Sequence, residues 1–254
     1  MKKYKSVFIY ACLILPAIIC PAFPSFSETL SGVEIVKKME QNMRGESSYG
    51  KASMSIKTPG WSRHIEMDFW MSGKDNTLIK IVAPAKEAGQ ATLKRGSLIW
   101  FYHPNVEQEM KINHSMMMQP WMGSDFTYDD MMKATTLVDD YSHRVAGTET
   151  LEGKDCWIIE SLPAPGVPVV WGKQVFLVGR DYLPMRQEFY DEKGRLVKIL
   201  EFSELKSMGG KMFPSEWKMT SVRKQETYTI LKYHKIKFDS PIKKDIFSLR
   251  SLKK

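Results

Sequence analysis

The sequence predicts a mainly β protein in which one antiparallel sheet curls into a barrel or half-barrel accompanied by a few helices. Three observations predict it. From Ala52 onward apolar and polar residues alternate with period two in segment after segment, as strands with one buried face require. Turn dipeptides such as Pro59-Gly60, Pro104-Asn105 and Gly209-Gly210 punctuate those segments. Helical patterning is confined to a short run near the amino terminus and to a methionine-rich stretch near the middle. No linker or repeat divides the chain, so the strands belong to one domain.

The amino terminus carries Lys2, Lys3 and Lys5, then an apolar run from Val7 to Cys20, then small residues at Ser25 and Ser27. A positive start, a short apolar core and a small-residue exit make a secretory signal peptide over residues 1–27, cleaved before Glu28. An uncleaved anchor needs about 20 apolar residues, and Pro16, Pro21 and Pro24 interrupt this run too early. Lipidation at Cys20 is disfavoured because Ile19 stands where a small residue is needed. The remaining domain, 28–254, is expected to be soluble and exported. Removing the signal takes Cys12 and Cys20 with it, so Cys156 has no internal disulfide partner and the core must hold the fold. Cys156 alternates with Trp157, and the larger indole is expected to take the interior side.

The elements follow in order. Ser31 caps a helix over 32–43 whose apolar face carries Val33, Val36, Met39 and Met43; Gly45 ends it. Ala52, Met54 and Ile56 alternate with polar neighbours, as do Ile65, Met67 and Phe69 across the Pro59-Gly60 turn, which gives a hairpin. Strands are expected over 77–83, 97–103 and 106–112. After the methionine-rich stretch they resume over 142–148, 154–161, 172–178, 184–190, 196–205, 211–222 and 226–238.

The stretch Lys111 to Met132 holds Met116, Met117, Met118, Met122, Met131 and Met132 beside Trp121, Phe126 and Tyr128. Methionine is unbranched and polarisable, so it serves either an ordinary core or a surface that repacks around apolar guests. Within it, Gly123 to Asp130 forms a polar turn before a short helix. Trp100 and Tyr102 share one strand face, as do Trp217 and Met219; such faces build a packed core or a ligand cavity.

Several chemistries are disfavoured. The formal charge of +8, from 37 Lys and Arg against 29 Asp and Glu, falls to +5 without the three signal lysines. That excess is spread along the chain rather than interleaved with aromatics, which argues against nucleic acid. The five histidines lie singly with no zinc spacing, and no nucleophile elbow, Walker loop or dinucleotide fingerprint is present. Asp125, Asp129 and Asp130 do not match a calcium loop; Asp125 is expected to cap the following helix and the other two to favour its positive end. No catalytic residue, cofactor or metal is nominated, and the protein is not expected to be an enzyme.

Motifs along nearly all of the mature chain resemble one family. Leu98-Ile99-Trp100-Phe101-Tyr102-His103-Pro104 looks like its aromatic strand ending in proline, and Gly-Ser-Asp-Phe-Thr-Tyr-Asp-Asp (123–130) follows at the expected distance. Asp181-Tyr182-Leu183-Pro184 with Tyr190-Asp191-Glu192-Lys193-Gly194 is similar to its strand-turn-strand, and Gly210 with Phe213-Pro214 and Asp245-Ile246-Phe247-Ser248 to its closing segments. The family is that of the outer-membrane lipoprotein-sorting proteins of the LolA-like superfamily, in the branch with a GSDFT motif. The resemblance implies a half-open barrel with a helical lid over an apolar interior that carries acyl chains of lipoproteins or other lipids. It implies an inner-membrane transporter and an outer-membrane acceptor as partners, and it nominates Trp100, Tyr102, Met116, Met117, Met118, Trp121, Met122 and Phe126 for the lipid cavity and lid. The run Met116 to Met118 is more apolar than the family pattern. A periplasmic sensor or adaptor that binds a partner protein is the rival function.

Overall fold

The structure, a computed structural model, describes residues 30–133, 137–167, 169–224 and 226–253. The signal peptide expected over 1–27 lies outside the described residues. Helix α1 spans Gly32–Arg44. It starts at its expected cap because Ser31 and Glu34 close a capping box: Ser31 Oγ accepts from the Glu34 N–H at 3.3 Å, and Glu34 Oε2 accepts from the Ser31 N–H at 2.8 Å. Gly45 ends it at φ 62°, a conformation that favours glycine, with Asp239 Oδ1 2.5 Å from where a Cβ would stand. The apolar stripe is shifted from its expected position. Ile35, Val36 and Met39 are buried whereas Val33 is 42% exposed, because Ile35 lies one turn before Met39 and centres the face.

The strands are β1 Ser47–Lys57, β2 Ser62–Ser72, β3 Asn76–Ala83, β4 Ala91–Arg95, β5 Leu98–His103, β6 Gln108–Ile112, β7 Tyr141–Leu151, β8 Lys154–Pro163, β9 Lys173–Gly179, β10 Pro184–Tyr190, β11 Leu196–Met208, β12 Lys211–Ser221 and β13 Tyr228–Phe238. They form one antiparallel sheet in the order β6-β5-β4-β3-β2-β1-β13-β12-β11-β10-β9-β8-β7. The first and last strands pair at its centre, β1 against β13, with Met54 opposite Leu231. The sheet is left open among the described residues, a half-barrel with β6 and β7 as its edges. Curvature is helped at Gly50, where a Cβ would meet the Lys235 carbonyl oxygen at 1.9 Å, one residue before a register shift between Lys51 and Ala52.

Strand β4 has no counterpart among the expected strands. Ala91, Thr92, Leu93 and Lys94 are all buried, so the alternation that reveals a half-exposed strand is missing. Lys94 is accommodated by donating to the Lys74 carbonyl at 2.7 Å. Strand β6 begins later than expected because Val106 closes a 3₁₀ turn, Pro104–Val106.

Successive side chains go to opposite faces and build separate clusters. Met54, Ile65, Met67, Phe69, Ile79, Leu200, Phe213, Met219 and Leu231 fill the concave face. Leu78, Leu93 and Tyr102 lie on the convex face, covered by Phe247 and Leu252 from a 3₁₀ turn, Lys244–Phe247, and helix α4, Leu249–Leu252. Helix α1 packs Ile35, Val36 and Met39 onto Ile159, Phe176 and Val178 near the β7 edge. Trp157 joins that cluster, with Tyr182 stacked on it at 5.4 Å. Cys156, on the opposite face, is nevertheless fully buried, and burial pushes its thiol up from its ordinary pKa.

Candidate functional site: a strapped cavity on the concave face

Strands β6 and β7 are neighbours in sequence but opposite edges of the sheet. The connection between them therefore crosses the concave face. It contains two 3₁₀ turns, His114–Met116 and Trp121–Gly123, and two short helices, α2 Tyr128–Lys133 and α3 Leu137–Asp140.

This strap is fastened in the order of the strands beneath it. Trp121 Nε1 donates to Thr92 Oγ1 of β4 at 3.0 Å. The Met122 carbonyl accepts from Arg63 Nη1 of β2 at 2.7 Å, and Arg63 is held in turn by Glu87. The Asp125 N–H donates to Thr229 Oγ1 of β13 at 3.0 Å, and that hydroxyl donates to Asp125 Oδ2 at 2.8 Å. Asp130 Oδ2 accepts from Lys198 Nζ of β11, both side chains 5% exposed. The Leu137 N–H finally donates to Glu40 Oε1 of α1 at 3.0 Å.

Local chemistry shapes the strap. Ser124 Oγ donates to the Trp121 carbonyl at 2.7 Å and accepts from the Phe126 N–H at 3.1 Å, which closes the turn that Gly123 opens at φ 72°. Thr127, not Asp125, caps α2: its Oγ1 accepts from the Asp130 N–H at 3.2 Å while Asp130 Oδ2 accepts from the Thr127 N–H at 2.7 Å. The helix begins at Tyr128, so the capping position falls two residues after Asp125. Asp125 is thereby free to grip β13.

Under the strap and α1 lies an apolar cavity of about 170 Å³, partly open to solvent. A space of this size exceeds by far the ~10–15 Å³ that one water requires. Phe69, Ile79, Phe176, Phe189, Leu200 and Leu231 supply walls from strands on both sides of the β1–β13 seam. Five methionines border it: Met39 and Met43 from α1, Met67 and Met71 from β2, and Met131 from α2. The cavity also has a polar end, where Gln187 Nε2 donates to Gln174 Oε1 at 2.6 Å and the Tyr141 hydroxyl donates to the Trp171 carbonyl at 3.3 Å. Burial pushes the Tyr141 phenol well above its ordinary range and raises the Glu40 carboxyl to about 7.

Of the residues nominated from sequence, Phe126 borders this cavity. Met117, Trp121 and Phe126 are buried in the concave core, with Met116 and Met122 packed half-buried against it. Met118 is 50% exposed. Trp100 and Tyr102 point the other way, into the convex cluster with Phe247 and Leu252, because Ile99 and Phe101 hold the concave positions of β5. A one-residue difference in parity moves a whole strand face. Of the cavity methionines, Met39, Met43 and Met67 were visible in the sequence as apolar-face positions of α1 and β2, and Met131 belongs to the methionine-rich stretch.

Comparisons with known proteins bear on the family and the fold. A family model described as "Uncharacterized protein" matches residues 73–254. The chain belongs to that family. A DUF1329 family protein from Desulfovibrio piger has a solved structure that superposes with a TM-score of 0.80 at 26% identity, covering 87% of this chain and 97% of that one. A domain from Vibrio parahaemolyticus described as an outer membrane lipoprotein-sorting protein gives 0.78 at 24% identity, over 88% and 98%. A LolA superfamily protein from Nitrosomonas europaea gives 0.74 at 22% identity, over 88% and 100%. The chain shares its fold with these three structures. No curated protein matches the sequence.

Proposed function

We propose that the protein is a periplasmic carrier that holds acyl chains of lipoproteins or other lipids in the strapped cavity and moves them toward the outer membrane. In this reading it receives its cargo from an inner-membrane transporter and passes it to an outer-membrane acceptor. The observation that carries the proposal is the cavity itself, an unfilled apolar space in the middle of the concave core, bordered by five methionines. Methionine linings repack at small cost, so 170 Å³ at rest need not limit the guest. Burying a chain contributes about 0.8 kcal/mol per CH₂, so one long chain supplies roughly 10 kcal/mol of gross transfer free energy. A soluble carrier must recover most of that and still release, which suits a soft wall better than a rigid one. Carriage of this kind needs no catalyst. The solved neighbours described as lipoprotein-sorting and LolA superfamily proteins share the architecture and support the reading at the level of fold.

The test is to fill the space. Ala52 is buried and borders the cavity from β1. Ala52→Phe is expected to weaken binding of an apolar reporter dye at least about tenfold, a loss of about 1.4 kcal/mol, while the melting temperature holds or rises. Titration of dye fluorescence and thermal unfolding check both halves. A wild-type protein that takes up no apolar dye would sink the carrier reading.

A further inference from the structure

The cavity is not purely apolar, and its polar groups are of a particular kind. Asp130 is fastened through one carboxylate oxygen only. Oδ2 takes both Lys198 Nζ and the Thr127 N–H, and Oδ1, fully buried, has no partner among the described residues. Trp171, 3% exposed, has a buried indole Nε1–H that also lacks a partner among the described residues. Both residues border the cavity. They are also neighbours: the same Lys198 Nζ that bonds Asp130 lies 4.5 Å from the centre of the Trp171 ring and 4.8 Å from that of Phe189. One acceptor and one donor, each buried without a bond among the described residues, therefore belong to two side chains that share the Lys198 ammonium at one end of an apolar space. Leaving such groups unsatisfied is costly, and native proteins retain few of them without a reason.

Several carboxyl groups lie around this end. Glu40, Asp129, Asp130 and Asp140 border the cavity, against Arg44 on the lining and Lys198 behind Asp130. Lys198 is already committed to the Asp130 carboxylate.

We infer that the cavity selects an acyl chain whose head is uncharged and carries both a hydrogen-bond donor and an acceptor, as an N-acyl amide does, and discriminates against a free carboxylate head. This deepens the carrier reading and rests on it. The amide N–H donates to Asp130 Oδ1 and the amide carbonyl accepts from Trp171 Nε1, which satisfies both orphaned groups at once. A carboxylate accepts from the indole but faces Asp130 Oδ1 with no proton to offer, beside other acidic groups. A site with a buried polar group left unmatched rejects such an analogue far more strongly than an apolar wall rejects a different chain.

The experiment compares ligands of one chain length by displacement of the apolar dye, at a pH where the acid is ionised: a long-chain primary amide, a short peptide N-acylated with the same chain, and the corresponding fatty acid. Expected is an amide or acylated peptide that binds at least about tenfold more tightly than the acid. The order of the first two identifies the source, a free amide lipid or an acylated protein terminus. Trp171→Phe, which keeps a ring and removes the donor, is expected to narrow the gap between amide and acid. Equal affinity for amide and acid overturns the inference and leaves the carrier reading standing. Displacement by the acid alone, or by none of the three while the dye binds, also overturns it. Failure of the dye itself to bind overturns both. The wild-type comparison decides the matter even where the Trp171 variant does not fold.

Discussion

At the scale of single residues, Glu40 shows how burial turns an ordinary side chain into a condition-sensitive one. It lies on α1, accepts the Leu137 N–H at the end of the strap and borders the cavity. Burial raises its pKa from 4.5 to about 7, with Arg44 opposing the shift. A carboxyl that keeps its proton longer in the folded than in the unfolded state makes folding less favourable as pH rises between those two values. That window is pH 4.5 to 7, and the whole effect is about 3 kcal/mol. Glu40→Gln retains an acceptor for Leu137 and cannot ionise. The stability of the wild type relative to this variant should therefore fall as pH is raised across the window, measured by urea unfolding at several pH values. Parallel curves would show that Glu40 does not titrate there. Cys156 is a second residue whose setting was half legible. Alternation put the indole of Trp157 on the interior side, where it joins the cluster under α1, but the opposite face is closed over the thiol as well, and Cys156 is the more deeply buried of the two.

At the scale of elements, the strap is the informative unit. One of its fastenings is the buried Lys198–Asp130 pair, with the ammonium also over two aromatic rings and its pKa lowered by burial. Buried pairs contribute little over an apolar alternative, but breaking one leaves a charge without a partner. Lys198→Met is expected to cost about 3–5 kcal/mol in urea unfolding. Adding Asp130→Asn, which removes the stranded charge and can still accept the Thr127 N–H, should restore much of that loss. Additive single-mutant costs would mean that the two groups do not act as a pair. Strands such as β2 were legible because one face is buried and its residues alternate. Strand β4 was not, being buried on both faces, and the strap's crossing was not, because which strands form the edges is a property of the whole sheet. Chemistry-bearing residues suffered most: the GSDFT turn was visible as a motif, but that Asp125 and Asp130 grip β13 and β11 depends on contacts 104 and 68 positions away in sequence.

At the scale of the molecule, the fold closes its sheet at the centre and leaves it open at the edges. The first and last strands pair, the strap ties the free edges, and α1 lies over the β7 side. The cavity thus sits amid the strands that share the main core, and its occupancy is coupled to global stability. A ligand that binds only the folded state stabilises it by mass action, by about 2.7 kcal/mol at a concentration about a hundredfold above Kd. For a domain of this size each kcal/mol shifts Tm by about 2–4 °C, so a saturating acyl-chain ligand should raise Tm by about 5–10 °C. The Ala52→Phe variant should show a far smaller rise under the same conditions, because its cavity is already filled by protein. Differential scanning calorimetry across a ligand titration checks this. A ligand attached to the exposed surface would stabilise both proteins equally, and that outcome would place the acyl chain outside the cavity.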